Sequence, residues 1–200
     1  MKHTKTHTRI SLVTIGLAIC FFLASPAMAA DKLLQGLAAN RTYVYLDRPV
    51  KAPDVPYKDE AGRDRTFSEL EGSVVIAVFW ATWCPICAVE LPQLDKLQAR
   101  FADGELHVVA ISENREGVPI VRRYFETRGI DHLKIFHDPG GRLAQYLGVS
   151  AVPFGLVIDK DGFMVAVSQR GNDWNSADTL SLIGRLRQSG EEKAEFGLNF

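Results

Sequence analysis

The hydrophobic pattern along the chain changes period several times, and each change marks an element. Val74-Val75-Ile76-Ala77-Val78-Phe79 is apolar at every position and rich in β-branched residues, the pattern of a central strand covered on both faces. Leu106–Ile111 predicts a second buried strand, and Leu133–Phe136 a third, shorter one. The stripe Glu90, Leu94, Leu97, Phe101 has the three-and-four spacing of a core-facing helix surface, in a helix that starts at Cys84 and runs to about Phe101. A second helix is predicted over Val118–Arg128, with Pro119 in its first turn, where a missing N–H is harmless. A short helix over Arg142–Leu147 stops at Gly148. Phe154–Ile158 and Phe163–Ser168, joined by Asp159-Lys160-Asp161-Gly162, read as a hairpin. The last helix is predicted over Ser176–Gln188, with Ser176 as its N-cap.

The N-terminal part carries less pattern. A short helix is expected over Lys32–Ala39, and Pro49, Pro53 and Pro56 punctuate an extended lead-in. Val55-Pro56-Tyr57 and Arg65-Thr66-Phe67 flank the turn-prone Asp59-Glu60-Ala61-Gly62 and predict a hairpin, followed by one helical turn at Ser68–Gly72. The element order argues for the α/β class, with a mixed central β-sheet flanked by helices. One domain over 52–190 is expected, after an N-terminal extension over 30–51 and before a loosely held tail over 191–200.

The first 29 residues read as a secretory signal. Lys2, Lys5 and Arg9 precede an apolar stretch from Ile10 to Ala24, and Ala27-Met28-Ala29 has the small-residue cleavage pattern. The alternative is an uncleaved membrane anchor, for which the apolar stretch is short against a span of about 20 residues. Cleavage removes three of the 23 Lys+Arg and leaves 20 against 24 Asp+Glu, a net charge of about −4. That balance argues against a nucleic-acid partner, which favours a basic patch.

Cysteine usage narrows the chemistry. Of three cysteines, Cys20 lies in the signal, so the exported chain keeps Cys84 and Cys87 as Cys-x-x-Cys. Export places them where disulfides persist. A bond closing so short a loop removes little entropy from the unfolded chain, so the pair is a poor staple and a good working dithiol. Cys84 at the junction of a buried strand and a helix sits where unpaired N–H groups and the positive dipole end favour a thiolate. Cys84 is therefore the attacking sulfur and Cys87, one turn on, the resolving one. Structural zinc wants about four ligands, and His107, His132 and His137 have no paired spacing to the cysteines, so no metal is expected. A copper(I) dithiolate suits two soft sulfurs and stays as an alternative.

Glu90 lies three residues after Cys87 and shares its helix face. Either it is desolvated, with a raised pKa and able to exchange a proton with Cys87, or it tips into solvent. Spacing does not decide. Pro92 removes one backbone bond from this helix. Val152-Pro153 precedes a strand at a position where a cis bond would be a specialised feature. Trp80 is expected in the core and Trp83 at an apolar docking rim beside Cys84. Tyr124, Phe125, Phe136 and Tyr146 are expected in the core.

Phe79-Trp80-Ala81-Thr82-Trp83-Cys84-Pro85-Ile86-Cys87 followed by Glu90-Leu91-Pro92 resembles the TlpA/ResA-like thiol–disulfide oxidoreductases of the thioredoxin superfamily. The resemblance spans roughly Ala52 to Arg187, including the helix Val118–Gly129, His137-Asp138-Pro139, the Val152-Pro153 loop, and Gly171 with Trp174. It implies a thioredoxin fold with an N-terminal hairpin and an inserted α-β unit. It further implies that Pro153 is cis and faces the disulfide, that Val152 offers backbone bonds to a partner, that Pro85 and Trp83 border the partner site, and that Glu90 is functional. Family members are typically periplasmic or membrane-tethered reductants serving cytochrome c maturation or copper-site assembly. The expected partners are thus disulfide-bearing exported clients and a membrane thiol donor protein, with no soluble cofactor. The periplasm is the expected location, or the inner membrane, facing the periplasm, if the signal is retained. Phe154 departs from the threonine common after the cis-proline, and Pro-Ile between the cysteines occurs in reductants and oxidants alike. A disulfide oxidase or isomerase on the same fold is the nearest rival, although no histidine between the cysteines stabilises a strongly acidic thiol.

Overall fold

The structure is a computed structural model and describes residues 43–169 and 171–196. The expected signal segment and the helix over Lys32–Ala39 lie outside the described residues. Eight strands form one sheet: β1 (Val44–Lys51), β2 (Tyr57–Asp59), β3 (Asp64–Arg65), β4 (Val74–Trp80), β5 (Leu106–Ser112), β6 (Phe136–His137), β7 (Phe154–Ile158) and β8 (Phe163–Gln169). The helices are α1 (Pro85–Arg100), α2 (Val118–Arg128), α3 (Arg142–Tyr146) and α4 (Ala177–Phe196), with a 3-10 turn at Phe67–Leu70.

The sheet order is β1-β8-β7-β4-β5-β6-β2-β3. β4 and β5 run parallel, as do β5 and β6, whereas β4 and β7 are antiparallel. The mixed sheet is the one expected. Every residue of β4 is buried, and its pleat divides them between two cores. Val74, Ile76, Val78 and Trp80 join Leu91, Leu94 and Leu97 of α1, Val121 and Phe125 of α2, and Leu182 and Ile183 of α4. Val75, Ala77 and Phe79 face the other way, onto Tyr57, Phe67, Leu143 and Phe154. Side-chain alternation at period two explains how one uninterrupted apolar run serves both faces. Burying a side chain such as Ile76 in full contributes about 1.5–3 kcal/mol.

Three elements and one side chain differ from the sequence expectation. Val44–Lys51 forms a strand that pairs with β8 across an irregular register, in a stretch whose side chains are mostly exposed and carry no alternation. The strand expected at Leu133–Phe136 is confined to Phe136–His137. The cause is Asp95: its Oδ1 accepts the N–H groups of His132 (2.7 Å) and Leu133 (3.0 Å), which diverts that backbone from the ladder. The open edge of β5 beside it is occupied instead by the Gln98 amide. Gln98 Oε1 accepts the Val108 N–H at 2.7 Å and Nε2 donates to the Leu106 carbonyl at 3.4 Å. The last helix continues past Gln188 to Phe196, through Glu191-Glu192-Lys193-Ala194, all favourable helix formers. Tyr146, expected in the core, is 69% exposed. On the five-residue α3, Leu143 and Ala144 take the buried face and leave Tyr146 outside.

Candidate active site

The site forms where β4 ends. Registers Trp80↔Ser112 and Phe79↔Phe154 bring the ends of β5 and the start of β7 beside the turn leading to α1. Cys84 is the N-cap of α1 and Pro85 its first residue. The N–H of Cys87 donates to Cys84 Sγ at 3.1 Å, so the sulfur takes one of the N–H groups that a helix start leaves unpaired. Cys84 and Cys87 are disulfide-bonded, with Cα atoms 5.3 Å apart. Both residues are buried, while Trp83 (68% exposed), Pro85, Ile86 and Val89 stand out around them.

Across from Cys84 lies the Val152–Pro153 peptide, which is cis. The Val152 carbonyl oxygen sits 3.7 Å from Cys84 Sγ. On the sheet side, the turn before Cys84 is clamped by Asn114. Its Oδ1 accepts the Thr82 N–H at 2.9 Å and its Nδ2 donates to Thr82 Oγ1 at 2.8 Å. Ser112 Oγ in turn donates to Asn114 Oδ1 at 3.1 Å. This pairing of strand ends fixes the redox turn without using it.

Glu90 is buried, not tipped into solvent. Its Oε1 accepts the N–H of Asn172 and the Trp174 Nε1–H, the latter at 3.1 Å, while Oε2 has no partner. Burial pushes the Glu90 carboxyl up to about 7, and the two N–H donors hold it back from rising further. The helix runs on through Pro92, whose missing N–H leaves the Ala88 carbonyl without its usual partner. A second acid, Glu113 at the end of β5, is raised to about 7, first by burial and then by the charge of Asp138.

Sequence reasoning brought Cys84, Cys87, Glu90, Val152 and Pro153 to one place, and the fold does bring them together. It missed Asn114, Asn172, Tyr43 and Glu113. For Asn114 and Glu113 a signal existed: polar residues directly after a buried strand parallel to β4 must surface beside the redox turn. For Tyr43 and Asn172 none did, because their neighbours come from opposite ends of the chain. Among the described residues, no group of three or more His, Cys, Asp or Glu side chains is arranged to hold a metal ion. A groove of about 1040 Å³ lies elsewhere, lined by Gln98, Phe101, His107, Val108, Phe125 and Leu133, and no redox-site residue lines it.

Residues 50–167 match the AhpC/TSA family along more than half of the chain. The chain belongs to the AhpC/TSA family. Within it, the chain is a ResA/TlpA-like thiol–disulfide oxidoreductase of the thioredoxin superfamily. The thiol-disulfide oxidoreductase ResA of Bacillus thuringiensis is 26% identical over 133 residues, covering 66% of this chain and 75% of that protein. The thiol:disulfide interchange protein DsbE of Pseudomonas aeruginosa is 29% identical over 119 residues, covering 60% of this chain and 63% of that one. A solved Chlorobium tepidum structure assigned as a thiol:disulfide interchange protein DsbE superposes with a TM-score of 0.63 at 24% identity, covering 71% of this chain and 99% of that one. That likeness shows the thioredoxin fold. Relative to the matched family segment, Tyr43 lies before it, while Asn172, Trp174 and Thr179 lie after it.

Proposed function

We propose that this member of the family is an exported reductant of disulfides in periplasmic client proteins, of the cytochrome c maturation or copper-site assembly type. The observation that carries the chemistry is the Cys84 sulfur at the start of α1, accepting the Cys87 N–H, with the Glu90 carboxyl buried one turn behind Cys87. In the reduced protein the Cys84 thiolate attacks one sulfur of a client disulfide. A mixed disulfide forms and the first client thiolate leaves. Cys87 then gives its proton to the Glu90 carboxylate and attacks Cys84 Sγ. The second client thiolate leaves and takes up a proton, and the Cys84–Cys87 disulfide is the oxidised product. A carboxyl near 7 suits this role, because it can accept a proton near neutral pH and surrender it again.

Trp83, Pro85, Ile86 and Val89 give the client an apolar rim to settle on. The Val152 backbone beside Cys84 offers hydrogen bonds to an extended client segment. Re-reduction needs two electrons from a dithiol donor protein held in the membrane. The basic and apolar N-terminal segment supports export. No helix among the described residues is long and apolar enough to cross a membrane, so any anchoring would come from that segment. A redox titration of the purified protein tests the direction of electron flow. A midpoint near −270 mV, on the order of that of thioredoxin, supports the reductant, whereas one near about −120 mV marks an oxidant.

A further inference from the structure

Behind Glu90 lies a buried polar network that the disulfide chemistry does not touch. The Asn172 N–H is bonded to Glu90 Oε1, and the Asn172 side-chain Nδ2 donates to the Tyr43 hydroxyl at 2.7 Å. The Tyr43 hydroxyl lies 2.8 Å from Thr179 Oγ1, which donates to the Asp173 carbonyl at 3.0 Å. With the Thr179 proton given to that carbonyl, the Tyr43 hydroxyl donates to Thr179 and accepts from Asn172. The directions are consistent along the whole chain of bonds. The Tyr43 ring also packs edge-on against Trp174, the second donor to Glu90, with centroids 6.1 Å apart. Tyr43, Asn172, Trp174 and Thr179 are all buried.

The backbone of this segment is held on its other side by α1. Trp174 N–H donates to Gln93 Oε1 at 3.1 Å, and Asn175 Nδ2 donates to the Gln93 carbonyl at 2.9 Å. The segment is therefore clamped between the redox helix and a tyrosine just before the N-terminal strand.

We propose that Tyr43, through the Asn172 side chain, is a positioning residue for Glu90: it holds the Asn172 N–H against the carboxyl and so tunes proton transfer with Cys87. The inference rests on the reading of Glu90 as the proton acceptor of Cys87. Residues outside the family-matched segment thereby set a property of the redox site inside it.

The groups that face Glu90 are few. α1 contributes Cys87, the segment after β8 contributes Asn172 and Trp174, the residue before β1 contributes Tyr43 with Tyr45 against its ring, and α4 contributes Thr179 through Tyr43. Among the described residues no charged side chain enters the balance at Glu90, which is burial against two N–H donors. Tyr43 itself is pushed up to about 12 by burial and stays protonated at any working pH. Loosening the segment weakens the donors and leaves the burial, so the carboxyl must rise.

The test uses the full protein with ¹³C-labelled glutamate. The Glu90 side-chain carboxyl resonance is assigned by its loss in Glu90→Gln and followed by NMR titration in the oxidised state. Tyr43→Phe, which keeps the ring and removes the hydroxyl, and Asn172→Ala, which keeps the backbone N–H, should each raise the Glu90 midpoint by about half a unit or more. In the reduced protein the pH profile of insulin disulfide reduction should move the same way, and Tyr43→Phe should cause no movement in a Glu90→Gln background. An unmoved or lowered midpoint in both single variants, with only a drop in melting temperature, makes Tyr43 a structural strut and overturns the proposal. If Glu90→Gln leaves the pH profile unchanged while Tyr43→Phe still raises the NMR midpoint, the proton-acceptor reading of Glu90 fails and the positioning stands.

Discussion

Gly171 passes so close to Ile86 that a Cβ on it would lie 2.7 Å from Ile86 Cγ2 and 3.8 Å from Glu90 Oε1. The residue also has φ +93°, a conformation that glycine adopts without the steric penalty of a Cβ. The contact matters because Gly171 leads directly into the Asn172 N–H that meets Glu90. Gly171→Ala is expected to destabilise the protein by about 1–3 kcal/mol, measured by urea unfolding. Trimming the opposing side chain in Gly171→Ala/Ile86→Ala should recover part of that loss, since one component is the clash and the other the backbone. Strict additivity of the two changes would show that the contact is not the cause.

Glu90 makes stability depend on pH in a particular direction. Its carboxyl ionises near 4.5 in the unfolded chain and at about 7 in the folded one. Between those values the folded state binds more protons, so stability is full below about 4.5 and is lost as pH rises through about 7. The size is on the order of 3 kcal/mol. Urea midpoints of the oxidised protein at pH 5 and pH 8 check this: the wild type should be less stable at the higher pH. Glu90→Gln should remove about half of the difference, and Glu113→Gln a comparable share, because both carboxyls are raised from 4.5 to about 7.

The two cysteines should separate cleanly by role. With Cys87→Ser, attack by Cys84 can proceed and release cannot, so a mixed disulfide with the client should accumulate on a non-reducing gel. With Cys84→Ser no such adduct should form with Cys87, which lies within the first turn of α1 rather than at its N-cap. Accumulation of the adduct through Cys87 would reverse the assignment.

Much of this arrangement is legible in the sequence. A run of seven buried residues in β4 has one geometric meaning, and Cys-x-x-Cys at its end places the sulfurs at a helix start. What resisted reading has physical causes. The strand Val44–Lys51 lies on the edge of the sheet with most side chains exposed, so it has no buried face to print an alternation. Tyr146 looked like core because it is large and apolar, yet α3 is too short to bury more than one face. The donors to Glu90 come from residues 82 and 84 positions away in sequence, a distance at which periodicity carries no information.

Asp95 supplies a prediction far from the cysteines. Its carboxylate accepts two backbone N–H groups and lies 3.0 Å from His132 Nδ1, which pins the loop after α2 to the redox helix. Asp95→Ala leaves the buried Leu133 N–H without a partner and gives the exposed His132 N–H to water, and should cost about 1–3 kcal/mol. Hydrogen exchange at Leu133 should accelerate, while exchange at β4 should change only as far as global stability falls.

The Gln98 amide on the flank of β5 has a consequence for how copies of this protein meet. A bare run of backbone donors and acceptors invites the same run from a neighbour, and sheets then zip together edge to edge. Here one side chain impersonates the missing strand beside Leu106 and Val108, so that stretch of β5 offers a neighbour no seam, and β1, at the sheet's margin, is left as the place where one could form.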